Sequence, residues 1–132
     1  MPNKILIIED ELFLLHFLEQ RLEKENYNVD VARDGKEALE MFERNKYSLI
    51  LLDLMLPFVS GFELIGKIRS DKRNAKTPIL VLSASSSEDS MTESLAIGAN
   101  DFLKKPFAID VLLSQVEHFV GDSKLMKAVP FD

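Results

Sequence analysis

The runs Ile5-Leu6-Ile7-Ile8 and Leu49-Ile50-Leu51-Leu52 are apolar at every consecutive position. A strand with one wet face alternates apolar and polar residues, so a run without alternation has to be covered on both faces, as the central strands of a parallel sheet are. Neither run approaches the roughly 20 residues a helix needs to span a bilayer. Around them one rhythm repeats five times. Lys4 to Ile8 predicts a strand, Glu11 to Glu25 carries apolar residues at helical spacing, and Asn28 to Ala32 predicts a second strand. Asp34-Gly35 supplies a turn and an N-cap for a helix through Asn45, ahead of the strand Leu49 to Asp53. Pro57 and Gly61 bracket a loop before a helix over Phe62 to Ser70, and Pro78 opens the strand Ile79 to Ser83. Ser85, Ser86 and Ser87 read as loop and capping residues for a helix over Glu88 to Ile97, which Gly98 stops. Asp101 to Lys104 and Ile109 to Val120 complete the series, the last helix turning Ile109, Leu112, Leu113, Val116 and Val120 inward.

Five strand-helix units in succession predict an α/β fold: an open parallel sheet with helices on both faces and right-handed crossovers. At 132 residues, 46% apolar and 29% charged, the expectation is one globular domain with an ordinary core and no second catalytic or DNA-binding domain. The lack of cysteine excludes disulfides, thiolate nucleophiles and cysteine-based zinc sites, and His16 and His118, far apart in sequence, are expected at the surface rather than as a ligand pair. A net charge of -6, from 16 basic and 22 acidic residues, disfavours attraction to phosphate backbones, so nucleic acid is not an expected direct partner. The opening Met1-Pro2-Asn3-Lys4 has none of the character of a signal peptide, and the expected location is the cytoplasm, with no membrane partner.

In an open parallel sheet the ligand site lies beyond the carboxyl ends of the strands. Here the first strand runs into Glu9-Asp10-Glu11, the third ends in Asp53, the fourth in Ser83-Ala84, and the fifth runs into Lys104-Lys105-Pro106. Successive members of the set Asp10, Asp53, Ser83 and Lys105 lie 43, 30 and 22 residues apart, each what one or two strand-helix units consume. The fold therefore delivers acids, a hydroxyl and an amine to one rim. Carboxylates held close together repel, and the usual relief is a hard divalent cation or protonation of one member. Mg²⁺ suits this set better than Ca²⁺, whose loops draw many oxygens from one short segment, absent here. Taken singly, Asp10 reads as a helix N-cap, Glu9 and Lys104 as solvated charges, and Ser83 as a loop residue. Only the constellation makes a site of Asp10, Glu9 and Ser83; Lys104 stays a solvated edge lysine.

The segments ILIIEDE, LILLDLMLPFVSG, PILVLSA and GANDFLKKPF, in this order, resemble the receiver domain of bacterial two-component response regulators over about residues 3 to 120. The resemblance implies a flavodoxin-like three-layer sandwich with strand order 2-1-3-4-5 and five helices, a receiver domain over residues 1–120, and a tail or linker over 121–132. It implies that Asp53 accepts a phosphoryl group from a sensor histidine kinase or a histidine phosphotransfer protein. Asp10 and Asp53, Glu9 through water, and the backbone carbonyl of Met55 would hold Mg²⁺, with Mn²⁺ able to substitute. Lys105 and the Ala84 backbone would contact the phosphoryl oxygens. Ser83 would move to hydrogen-bond them, and Phe102 would turn inward behind it, altering the surface of the fourth helix, fifth strand and fifth helix to control an output domain or target protein. Glu9, Asp10 and Asp53 balance Mg²⁺ plus Lys105, and an acyl phosphate of about -2 in place of one carboxylate upsets that balance. The resemblance also implies a cis Lys105-Pro106 peptide. Such a module catalyses only its own phosphorylation and dephosphorylation.

Other classes share this topology. An interaction module without phosphotransfer would not need the full acid set with Ser83 and Lys105. A flavin-binding electron carrier needs a phosphate-cradling loop where Glu9-Asp10-Glu11 would repel the phosphate. An aspartyl-phosphate phosphohydrolase wants a second aspartate two residues after Asp53, where Met55 stands. Asp101 fits a charged dimer face, but the last helix, DVLLSQVEHFVG, lacks the arginine that the resemblance leads one to expect, which leaves a monomer or a phosphorylation-dependent homodimer. On the first helix Leu14, Leu15, Leu18 and Leu22 form an inward stripe, and Phe13 and Phe17 point roughly 120° from it. These two rings are expected to be exposed as a docking patch for the phosphohistidine-bearing helices of a partner, unless the fifth helix or the 121–132 tail covers them. Met55 and Ser85, two residues beyond Asp53 and Ser83, carry no acid or amide to orient water, so a long-lived phosphoryl group is expected.

Overall fold

The computed structural model describes residues 4–84 and 88–121. Its elements run β1 (Lys4–Ile8), α1 (Leu12–Lys24), β2 (Asn28–Ala32), α2 (Gly35–Arg44), β3 (Leu49–Asp53), α3 (Gly61–Ser70), β4 (Ile79–Ser83), α4 (Glu88–Ala96), β5 (Asp101–Lys104) and α5 (Ile109–Val120). The strands are all parallel in the order β2-β1-β3-β4-β5, with Ile8 beside Leu52 and Asp53 beside Leu82. This is the flavodoxin-like three-layer arrangement expected from the sequence. The order reverses between β1 and β3, so a crevice opens there at the carboxyl end of the sheet.

The uninterrupted apolar runs have the predicted cause. In β3 every residue is buried, and alternate side chains enter two separate cores. Leu6, Ile8, Ile50 and Leu52 pack with Ala38 and Phe42 of α2 and Leu64, Ile65 and Ile68 of α3. Ile5, Ile7, Leu49 and Leu51 pack on the opposite face with Leu15, Leu18 and Leu22 of α1 and Leu112, Val116 and Val120 of α5. Each such side chain contributes about 1.5–3 kcal/mol of burial. Leu14, Ile109 and Leu113, also expected inside, are only partly buried at the edge of that second core.

The helix ends refine the sequence reading. α1 begins at Leu12 behind Glu11, which makes no side-chain cap, so Asp10 is not an N-cap. Asp34 caps α2 as expected, accepting from the Glu37 N–H at 2.8 Å. α3 begins one residue earlier than predicted, because the Ser60 hydroxyl accepts from the Glu63 N–H at 3.2 Å and makes Gly61 the first helical position. A Cβ at Gly61 would stand 2.5 Å from the Leu54 Cα, so only glycine fits. α4 inverts the usual pattern: Ser94 is its one buried residue, while Met91 and Leu95 are exposed. Gly98, at φ +130°, ends it. The serines 85–87 and residues 122–132, assigned above to a cap and a tail, lie outside the described residues.

Two loops are held by specific hydrogen bonds. After α3, the Arg69 guanidinium donates to the carbonyls of Thr77 at 2.7 Å, Ala75 at 3.2 Å and Gly98 at 2.7 Å, and to the Asn100 side-chain oxygen at 2.8 Å. Between β3 and α3, the Gly61 N–H reaches the Leu54 carbonyl at 3.0 Å and closes the loop at its base. At its tip the Val59 N–H donates to the Pro57 carbonyl at 2.9 Å around Phe58, whose φ is +72°. That is a γ-turn of the rare, strained hand. A bulky residue in this region costs about 1–2 kcal/mol.

Candidate functional site

The carboxyl end of β1 delivers Glu9 and Asp10, and the end of β3 delivers Asp53. The Glu9 N–H bonds the Ala32 carbonyl at 3.0 Å, prolonging the β1–β2 ladder by one residue and turning the Glu9 side chain into the crevice. Glu9 is almost wholly buried, Asp53 is 5% exposed, and Asp10 lies open to solvent. One carboxylate oxygen from each lies within 4.8 Å of the others. The Lys105 backbone N–H bonds the Ser83 carbonyl at 2.8 Å, holding the end of β5 against β4, and its side chain enters from that side. Lys105 Nζ stands 2.6 Å from Glu9 Oε1 and 3.5 Å from Asp53 Oδ2. Glu9 Oε2 accepts from the Glu11 N–H at 3.1 Å, and Asp53 Oδ1 from the Met55 N–H at 3.1 Å. The Lys105–Pro106 peptide is cis.

The electrostatics follow from burial. Desolvation pushes the Glu9 carboxyl up to about 7; the Lys105 ammonium and the Glu11 N–H oppose this, and the Asp53 charge adds to it. Burial works against the Lys105 ammonium too, but the contacts with Glu9 and Asp53 outweigh it and hold the lysine above its ordinary value. One ammonium therefore does not balance three carboxylates in this crevice. Three convergent oxygen donors, one of them buried and pushed toward protonation, fit a hard divalent cation such as Mg²⁺.

The other residues singled out from the sequence are distributed around this centre. Ser83 is buried at the end of β4, next in line to the exposed Ala84. Phe102, on β5, is half-buried against the core shared by α2 and α3. Met55 is 69% exposed on the rim. Phe13 is 83% exposed and Phe17 38%, so among the described residues α5 does not cover them. With Ala84, Pro106, Phe107 and Ile109 they line a groove of about 550 Å³ beside Lys105. His16 and His118 are on the surface as expected. Asp101 accepts from the side-chain amide of Gln115 on α5 at 3.3 Å.

Two features at the site and on the loop that follows Asp53 escaped the sequence. One is the partner of Lys105: the extra methylene of Glu9, compared with an aspartate, lets its carboxylate reach across the crevice to the ammonium. The glutamate at the first acidic place was the signal for it. The other is Phe58, 87% exposed at the tip of the strained turn, for which no residue-level signal exists, since phenylalanine has no preference for positive φ.

Comparison with known proteins agrees with this geometry. Residues 5–117 match the response regulator receiver domain. The chain is 47% identical over 114 residues to response regulator ArlR of Staphylococcus saprophyticus, which covers 86% of this chain and 50% of that protein. For ArlR of Staphylococcus aureus the identity is 43%, with 86% and 51% covered. The chain thus spans about half the length of these curated relatives. Among solved structures, a Francisella response regulator receiver domain superposes with TM-score 0.83 at 35% identity over 92% of this chain and 98% of that one. The receiver domain of a sensor histidine kinase from Pseudomonas aeruginosa, crystallised with magnesium in its active-site cleft, gives TM-score 0.84 at 30% identity, covering 92% and 100%.

Proposed function

The chain belongs to the response regulator receiver domain family of two-component signal transduction, and we propose that it is a phosphorylation-controlled switch whose phosphoacceptor is Asp53. The observation that carries the reading is the recessed Asp53 carboxylate, bracketed by the acids Glu9 and Asp10 within 4.8 Å and by the Lys105 ammonium at 3.5 Å. A carboxylate nucleophile needs no general base, so one Asp53 oxygen attacks the phosphorus of a phosphohistidine, the P–N bond breaks, and the imidazole leaves. Lys105 exchanges Glu9 for a phosphoryl oxygen, countering the added charge. Ser83 and the Ala84 N–H supply hydrogen bonds to the others, and Phe102 follows Ser83 inward. Glu9, Asp10, Asp53 and the Met55 carbonyl would hold Mg²⁺ or Mn²⁺, which supplies charge neutralisation between the acids and the phosphoryl group.

In this reading the receiver occupies residues 1–120, with 121–132 as a tail or linker. It works in the cytoplasm on a sensor histidine kinase or phosphotransfer protein, docked at Phe13 and Phe17, and controls an output domain or target as a monomer or a phosphorylation-dependent dimer. It catalyses only its own phosphorylation and dephosphorylation. Among the described residues no helix is long and apolar enough to cross a membrane. Mass measurement after incubation with Mg²⁺ and phosphoramidate tests the acceptor: one phosphoryl group is gained by the unaltered chain and none by Asp53→Asn. Equal gain by both would exclude Asp53.

A further inference from the structure

Of the five helices, α4 is the one that its own residues hold least. α1, α3 and α5 each bury three apolar side chains, whereas α4 buries Ser94 alone, and the Ser94 hydroxyl donates to the Met91 carbonyl one turn back at 2.9 Å. Little apolar area therefore fastens the helix to the sheet. Its charges are one-sided too. Glu88 and Asp89 suit its amino end, but its last turn has no basic residue, while those of α1, α2 and α3 carry Lys or Arg and that of α5 His118.

The missing cation comes from α3. After Ala96 the chain winds into a closing turn, in which the Gly98 N–H donates to the Leu95 carbonyl at 3.2 Å and the Ala99 N–H to the Ser94 carbonyl at 2.9 Å. Arg69 holds this turn: its Nε and Nη2 both donate to the Gly98 carbonyl, at 3.0 and 2.7 Å, and Nη2 also reaches the Asn100 side-chain oxygen at 2.8 Å. That oxygen accepts from the Ile79 N–H at 2.8 Å as well, so the contact continues into the start of β4. Among the described residues no carboxylate pairs with Arg69, and burial works against its charge. The guanidinium is committed to the end of α4 and the loops beside it.

α4 is thus an arm fastened at its carboxyl end. Its amino end follows three residues after Ser83 and Ala84, the pair that the reading above assigns to the phosphoryl oxygens. Any inward movement of that pair shifts the amino end of the helix against a fixed carboxyl end. We propose that Arg69 is a positioning residue for the switch: by holding the closing turn of α4 it favours the place that the helix has here, and so opposes the rearrangement at Ser83 and Ala84. The inference rests on the phosphotransfer reading. A tie made in only one of two states shifts the balance toward that state, and a ligand that selects the other state binds correspondingly less tightly.

The test titrates Mg²⁺ with beryllofluoride, a stable stand-in for the phosphoryl group, into the unaltered chain, Arg69→Gln and Arg69→Lys. Arg69→Gln is expected to bind beryllofluoride about fivefold more tightly while melting lower, and its α4 amides should gain more in hydrogen-exchange rate than those of β1 and β3. Arg69→Lys keeps the cation beside the α4 terminus but not the planar fork. It is expected to fall between the two, and it decides the matter if the glutamine variant is too unstable to titrate. A role confined to fold stability would weaken beryllofluoride binding or leave it unchanged in both variants, and either result overturns the proposal. So does α4 exchange as slow in the variants as in the unaltered chain, because something other than Arg69 would then hold the helix. If beryllofluoride fails to bind the unaltered chain, or binds Asp53→Asn equally well, the phosphotransfer reading itself falls, a result distinct from all of these.

Discussion

Glu9 is a carboxyl that the fold makes reluctant to ionise, and this gives the site a measurable pH signature. Its value rises from the ordinary 4.5 to about 7 on folding. The folded protein therefore holds this proton more tightly than the unfolded chain. The resulting stability is fully present below pH 4.5 and is lost as pH rises through about 7. In the absence of divalent metal, the melting temperature is expected to fall between pH 5 and pH 8, a change on the order of 1–3 kcal/mol. Glu9→Gln should flatten that profile, and a profile of the same steepness in the variant would assign the effect to another group. Asp10, exposed and outside the Lys105 contact, has less structural work to do than Glu9. Asp10→Ala should leave melting nearly unchanged while markedly weakening Mg²⁺ binding in a calorimetric titration. Unaltered affinity would remove Asp10 from the ligand set.

At the scale of elements, the sequence was legible wherever burial imposed a period. β1, β3 and β4 are apolar on both faces because both faces are covered, and their boundaries coincide with the predicted ones. The acids and Lys105 could be brought to one rim from chain order alone, because parallel strands place all their carboxyl ends together. What depended on side-chain reach or local backbone torsion was not legible: the Glu9–Lys105 pairing, the turn at Phe58, and the inverted face of α4, whose Ser94 points inward. Asn74 belongs here too. In sequence it sits among turn formers, yet it is fully buried, donating to the carbonyls of Phe42 and Asn45 and accepting from Tyr47 and Thr77. The exposure of Phe13 and Phe17 was legible from α1's periodicity. Replacing both with alanine should slow transfer from a kinase about tenfold or more and spare phosphorylation by phosphoramidate. A melting temperature lowered by many degrees would show instead that the rings are core.

For the whole molecule, one sheet separates two apolar cores that do not share side chains. Leu51 enters the core under α1 and α5, and its neighbour Leu52 the core under α2 and α3. Leu51→Ala and Leu52→Ala should each cost about 2–5 kcal/mol in denaturant unfolding, with one cooperative transition in both variants, since the strands are common to both layers. Two separated transitions would mean that the layers unfold independently. The Arg69 clamp ties two loops on the α3 and α4 side of this assembly, and nearly all its acceptors are main-chain carbonyls; among the described residues only Asn100 contributes a side chain. A carbonyl is the same whatever residue bears it. Residue 75 could therefore drift to other letters without losing its anchorage, whereas no other amino acid presents the guanidinium's planar fork. Position 98 is bound as well, because a Cβ there would stand 2.9 Å from the Arg69 side chain. The tie between the two loops is in this way written into a single arginine codon and the glycine opposite it.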